Sequence, residues 1–319
     1  MPDSLDKCPE RVIIDTDIGD DIDDLLGLTL ALQSPEVDLL GVTTVFKNTL
    51  LKARIGKKLA RLAGREDIMA VPGISQPLNQ HRLAPFLTKV DFTEIPCQYT
   101  EDMEEEITES PGDAVDFLIQ KTLSLNGELI IVAIGPLTNI AAMLQKAPIV
   151  ASKVKRLVLM GGAYFANVAE YNIQCDPEAA KVVFESGIPI HGIGLDVTRQ
   201  CRLSEKDLDD LRGDGSELTD FLYRTIGLWR GHTRNLPYLH DPLAMGTVIR
   251  QDFVKLVPRA IAIETQGEYT RGMTFNVTDS NWWNGSPNKA NAQVGLEVDH
   301  ERFRQFFMER ILAKKLYNE

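Results

Sequence analysis

The sequence predicts an α/β protein with a mostly parallel central sheet and helices on both faces. Two observations carry this: short apolar runs alternate repeatedly with helical stretches, and the first run ends in an acidic turn. Residues 11–14, Arg-Val-Ile-Ile, form that first run, as expected of a buried parallel strand that delivers side chains at its carboxyl end. Residues 25–32 read as a helix, stopped by Pro35. A strand at 37–45 follows, then a basic helical stretch at 50–62. A third short strand at 69–71 is closed by Pro72 and Gly73. Further on, 114–125 is helical, 129–134 strand, 138–144 helix, 154–160 strand, 177–185 helix and 188–193 strand.

Two stretches depart from this alternation. Residues 76–111 hold Pro85, Pro96 and the acidic run 101–106, which predicts a solvated excursion, with a lid over a site as the alternative. Residues 203–234 are mainly helical and lead into a polar pair, His240-Asp241. With no internal repeat and no low-complexity linker, residues 1–319 read as one domain. It carries a variable insertion around 76–111 and a mainly helical segment around 203–250.

Composition narrows the function. The chain has 319 residues, 44% hydrophobic and 25% charged, with 34 Lys and Arg against 46 Asp and Glu, a net charge of −12. That sign argues against a nucleic-acid binder, which needs a basic face to displace phosphate counterions, but not against an uncharged nucleoside. No run approaches the about 18 apolar residues that span a bilayer, so no membrane role is expected. The polar start lacks an apolar signal core. Cys8, Cys97, Cys175 and Cys201 form no C-x-x-C pair, so neither a zinc knuckle nor a disulfide framework is expected. A cytoplasmic protein is the resulting expectation.

The chemistry is concentrated after the first strand. Residues 15–24 hold six carboxylates: Asp15, Asp17, Asp20, Asp21, Asp23 and Asp24. One or two acids suffice to cap a helix N-terminus. Six repel one another, and a divalent cation is the simplest way to keep several ionised together. Their hard oxygens favour Ca²⁺ or Mg²⁺ over zinc. An EF-hand loop counted from Asp15 needs Gly and Glu where Asp20 and Leu26 stand, so that option fails. A Mg²⁺-dependent phosphatase of the haloacid-dehalogenase type also starts with an apolar strand and D-x-D, the first Asp attacking phosphorus. It expects Thr or Val where this chain has Gly19.

The same segment resembles the D-x-D-P-G-x-D-D signature of the inosine-uridine-preferring nucleoside hydrolase family. Later blocks agree in order: Leu39-Leu40-Gly41-Val42-Thr43-Thr44-Val45 running to Asn48, Ile134-Gly135-Pro136-Leu137-Thr138-Asn139, and Val158-Leu159-Met160-Gly161-Gly162. Glu170-Tyr171-Asn172, Asp176-Pro177-Glu178 and His240-Asp241-Pro242-Leu243 complete the series. Ile18 stands in place of the family's Pro, and two extra residues separate Gly19 from Asp23-Asp24. Aligned from the helix side, Asp23-Asp24 is the matching pair. Aligned from the strand side, the ligand slot falls on Ile22, whose side chain cannot bind a cation.

The resemblance implies a nucleoside-hydrolase-like fold and hydrolysis of ribonucleosides to free base and ribose, in salvage. It implies a Ca²⁺ ion held by Asp17, Asp24, Asp241 and the carbonyl of Ile134, with Asp23 as general base and His240 as acid for the leaving base. Asp15 is expected to brace the loop. Asn48, Met160, Asn167, Glu170 and Asn172 are expected around the ribose. Tyr223, Trp229 and Tyr238 either roof the base or pack in the helical core, and Trp282 and Trp283 are surface anchors or subunit contacts. A homodimer or homotetramer is the expected assembly. A nucleoside-binding protein without turnover is the remaining alternative, should the insertion misplace Asp23.

Overall fold

Among the described residues, 8–107, 112–280 and 288–312, eight strands form the central sheet of this computed structural model. The chain enters at β1 (Glu10–Thr16) and runs through α1 (Asp23–Leu32), β2 (Val37–Thr44), α2 (Thr49–Leu62) and β3 (Ala70–Pro72). Next come α3 (Ala114–Leu125), β4 (Leu129–Ala133), α4 (Thr138–Lys146), β5 (Val154–Met160), α5 (Tyr171–Cys175), α6 (Pro177–Glu185) and β6 (Ile190–Ile193). A helical run follows: α7 (Leu195–Thr198), α8 (Glu205–Asp214), α9 (Glu217–Thr233) and α10 (His240–Ile249). The chain closes with β7 (Val254–Arg259), β8 (Ile261–Ile263), β9 (Thr274–Asn276), β10 (Ala292–Val298) and α11 (His300–Ile311).

The strand order is β3-β2-β1-β4-β5-β6-β10-β7. All neighbours pair in parallel except β7, which runs antiparallel to β10 at one edge. β8 and β9 form a separate antiparallel pair. Strand side chains alternate between the two faces, so Val12 and Ile14 enter one core while Ile13, between them, enters the other. Helices α1, α2, α10 and α11 fill the first core, with α8 and α9 packed outward of them. Helices α3, α4 and α6 fill the second. Burial on both faces is why the central strands read as unbroken apolar runs.

From residue 10 to 193 the main elements begin and end within two residues of the sequence expectation. Of the excursion at 76–111, residues 76–107 are described, and over half of them are exposed. Leu87 and Met103 are buried in short 3₁₀ turns at Pro85–Lys89 and Glu101–Glu106, and Gln98 is buried between them. Apolar residues spaced among the prolines and acids give this segment its own small interior, so it forms a wall beside the C-terminal edge of the sheet. Among the described residues no helix is long and apolar enough to cross a membrane.

Candidate active site

In doubly wound sheets, ligands bind outside the carboxyl ends of the strands, where the order reverses. Here β1 connects outward to β2 and β3, while β4 leads the other way to β5 and β6, so the reversal lies between β1 and β4. Asp17 follows β1 and Ile134 follows β4, and both line a cavity of about 660 Å³. That volume suits a small ligand.

The acidic loop reaches the cavity through two close approaches that need glycine. A side chain at Gly135 would lie 2.8 Å from Asp17 Oδ1, and one at Gly27 would lie 3.2 Å from the Cβ of Asp241. Gly27 thus lets α1 press against the start of α10, bringing acids from opposite ends of the chain together. Asp23 and Asp24 occupy the first turn of α1, and Asp241 the first turn of α10. Carboxylate oxygens of Asp23, Asp24 and Asp241 lie within 4.8 Å of one another, and all three residues are buried. Asp17 faces the same cavity without joining that mutual cluster. Ile22, by contrast, is a core residue.

Burial, then mutual repulsion, pushes the carboxyls of Asp23, Asp24 and Asp241 well above the ordinary range. Asp23 and Asp241 face each other across the cluster at close range. Thr16 Oγ1 donates to Asp24 at 2.5 Å. Asp17 is raised to about 6 by burial, opposed by Lys52. Buried, crowded, hard oxygen donors without a matching Lys or Arg contact fit a divalent cation. Asp23, Asp24 and Asp241 offer oxygens close enough to share one, and Asp17 and Ile134 lie on the same cavity lining.

The two inserted acids have partners of their own. Burial would raise Asp20, but Lys52 and Lys47 hold its carboxyl below the usual range, at 3.2 and 3.1 Å. The Trp229 indole donates to Asp21, and Gln98 Nε2 donates to the Asp21 carbonyl at 2.5 Å. Lys52 is fully buried and also donates to the Asp17 carbonyl. Asp15 does not line the cavity. It is fully buried and raised to about 7 by that burial, with Oδ1 accepting from Thr43 at 2.5 Å and Asn139 at 2.8 Å. It braces β1 against β2 and α4, which leaves the phosphatase alternative without its attacking group.

Met160, Glu170 and Asn172 line the cavity. Glu170 caps α5, accepting from the backbone of Gly162, Asn172 and Ile173 at 3.0, 2.8 and 3.1 Å. These bonds fix the orientation of its carboxylate at the cavity wall. Asn172 Nδ2 donates to the carbonyls of Ile134 and Met160, at 3.0 and 3.1 Å, leaving Oδ1 for a ligand. His240 Nδ1 lies 2.7 Å from Thr198 Oγ1, and its ring stacks on Tyr238. Burial, and then the charge of Arg199, lowers its pKa to about 4. His240 lines the cavity directly beside Asp241.

Not every expected residue meets here. Asn48 lies outside the cavity lining: its Oδ1 caps α2 at Leu51 N, and its Nδ2 donates to the Thr93 carbonyl. Asn167 is exposed and also lies off the lining. Trp229 and Tyr238 line the cavity, whereas Tyr223 packs against the helical core. Trp282 and Trp283 lie outside the described residues. Sequence reasoning missed Lys52, Gln98, Arg199 and Thr233. Only Thr233 left a signal, one helical turn beyond Trp229.

A doubly wound sheet with a buried oxygen cluster at its reversal, beside hydroxyl-binding groups and aromatic walls, defines a small-molecule enzyme site. Residues 12–305 match the inosine-uridine preferring nucleoside hydrolase family, and the chain belongs to it. It is 36% identical to uridine nucleosidase 1 of Arabidopsis thaliana, over 87% of this chain and 84% of that one. It is 31% identical to the pyrimidine-specific ribonucleoside hydrolase RihA of Citrobacter koseri, over 94% and 97%. Among solved structures, a plant nucleoside hydrolase, PpNRh1, superposes with a TM-score of 0.81 at 33% identity, covering 96% of this chain and 99% of that one. A purine-preferring ribonucleoside hydrolase from Gardnerella vaginalis superposes at 0.80 with 30% identity, covering 95% and 98%. The chain is a nucleoside hydrolase.

Proposed function

We propose that the chain cleaves ribonucleosides with Asp23 as general base and with Ca²⁺ as the cation held by Asp17, Asp24, Asp241 and the Ile134 carbonyl. The cluster of Asp23, Asp24 and Asp241 carries this reading. When bound, the cation supplies positive charge that orients ribose hydroxyls and acidifies a nearby water. Glu170 and Asn172 grip the sugar, and Met160 packs against it. Asn48 and Asn167 stay in the proposal only as groups that a bound ribose draws in. Water oxygen bonds to C1′, its proton passes to Asp23, and the base departs with the electrons of the broken bond. His240 is the acid for the departing base. Salvage by a cytoplasmic homodimer or homotetramer belongs to the same reading.

The names of the sequence relatives make uridine the first substrate to try, and the purine-preferring neighbour makes inosine the second. A reducing-sugar assay, with and without chelator, should show metal-dependent ribose release. Asp23→Asn should lower kcat by about 10²–10⁴ while still binding uridine by calorimetry. Full activity in Asp23→Asn, with Asp21→Asn inactive, would transfer the base role to the insertion. Uridine binding with no ribose released by the unaltered protein would favour the alternative without turnover.

A further inference from the structure

Seven carboxyl side chains, six Asp and one Glu, line the active-site cavity, against a single Arg and no Lys. That cation, Arg199, is an exposed residue of the lining and has no guanidinium hydrogen bond or ion pair among the described residues. The contrast with Lys47 and Lys52 is informative, because those two reach the same acidic loop and are both paired to Asp20. Arg199 follows directly on α7, whose last residue, Thr198, contacts His240. It therefore belongs to the end of the cavity walled by His240, Tyr238 and Trp229. Trp229 and the stacked Tyr238–His240 pair give that end aromatic walls suited to a planar base, whereas Glu170 and Asn172 carry oxygen acceptors for hydroxyls.

Cleavage creates charge at that end. As the bond from C1′ to nitrogen breaks, its electron pair stays on the base, and water oxygen bonds to C1′ while Asp23 takes the proton. A uracil then gains negative charge spread over N1, O2 and O4 before a proton from His240 reaches it. A guanidinium is planar, permanently charged and forked, which matches a planar anion with adjacent N and O acceptors. We propose that Arg199 is a leaving-group residue, recognising carbonyl and ring-nitrogen acceptors of the base and stabilising the negative charge it gains during cleavage. This rests on the hydrolytic reading above.

The test compares the unaltered protein with Arg199→Gln and Arg199→Lys, in Ca²⁺, on uridine, 5-fluorouridine and 4-nitrophenyl β-D-ribofuranoside, whose leaving groups are successively more acidic. Arg199→Gln should lower kcat on uridine by about 10²-fold, the usual loss for one charge-stabilising donor. It should lower kcat on the nitrophenyl riboside by less than about threefold, since that group leaves unaided. The plot of log kcat against leaving-group pKa should steepen, and Arg199→Lys should recover much of the loss. Equal losses on all three substrates would overturn the proposal. Loss confined to uridine 5′-monophosphate, with uridine unchanged, would also overturn it by assigning the guanidinium to a phosphate. A parent protein inert on every riboside would sink the hydrolytic reading and this proposal together, a result distinct from either.

Discussion

Lys52 shows how one buried charge can set the shape of a neighbouring loop. Its ammonium sits below the acidic segment, donating to the Asp17 carbonyl and pairing with Asp20. Lys47 joins from the side, at the end of a turn in which Phe46 and Lys47 take φ of 65° and 59°, a strained conformation for side chains with a Cβ. The two inserted residues are therefore tied down from α2 and, through Trp229, from α9. Lys52→Met removes a buried cation from the partly exposed Asp20 and orphans the Asp17 carbonyl. It should cost about 3 kcal/mol in denaturant unfolding with chelator present. Calorimetry should also show Ca²⁺ affinity reduced at least tenfold, by about 1.4 kcal/mol or more, as Asp17 loses its brace. An unchanged affinity would show that Asp17 is held without it.

At the scale of elements, the decisive contact is α1 against the start of α10. Both helices are buried nearly all round, and each opens with acids in its first turn, where the helix dipole favours negative charge. Their separation fixes the spacing between Asp24 and Asp241, and Gly27 sets how near they come. Replacing Gly27 by Ala gains about 0.5–1 kcal/mol of helix preference, which offsets the crowding against Asp241. Stability in chelator should thus stay within about 1 kcal/mol of the parent, while divalent affinity drops severalfold because the acids are pushed apart. Equal affinity would show that the cluster tolerates a wider spacing. The wall at 76–107 acts at the same scale. A side chain at Gly19 would lie 2.8 Å from Pro96, and Gln98 N donates to the Gly19 carbonyl at 3.1 Å. The segment thus fixes the backbone of the insertion.

For the whole molecule, the sheet order places the acids at one crevice, and their crowding makes the metal part of the stability. A ligand that binds only the folded chain stabilises it by about 2.7 kcal/mol at a hundred times its Kd. Saturating Ca²⁺ should therefore raise Tm by several degrees, and chelator should reverse the rise. Asp24→Asn should shrink the shift, and a Tm indifferent to Ca²⁺ would remove the ion from the proposal.

The order of strands and helices through residue 193 was legible because hydrophobic period and Gly/Pro punctuation are local properties of the chain. Asp15 to Asp24 was legible for a similar reason, since its acids are neighbours in sequence. The later elements were less so: β7, at a sheet edge, buries only Val254, and β8 and β9 are three residues each. Residues 23, 24 and 241 met because two buried helices pack at a glycine, and Asn48 capped α2 because the chain turns there. Lys52 and Arg199 are ordinary cations in the sequence. Which one is sealed beneath the loop and which one stands free in the cavity was decided only by packing, because burial and charge pairing depend on parts of the chain that sequence spacing does not relate.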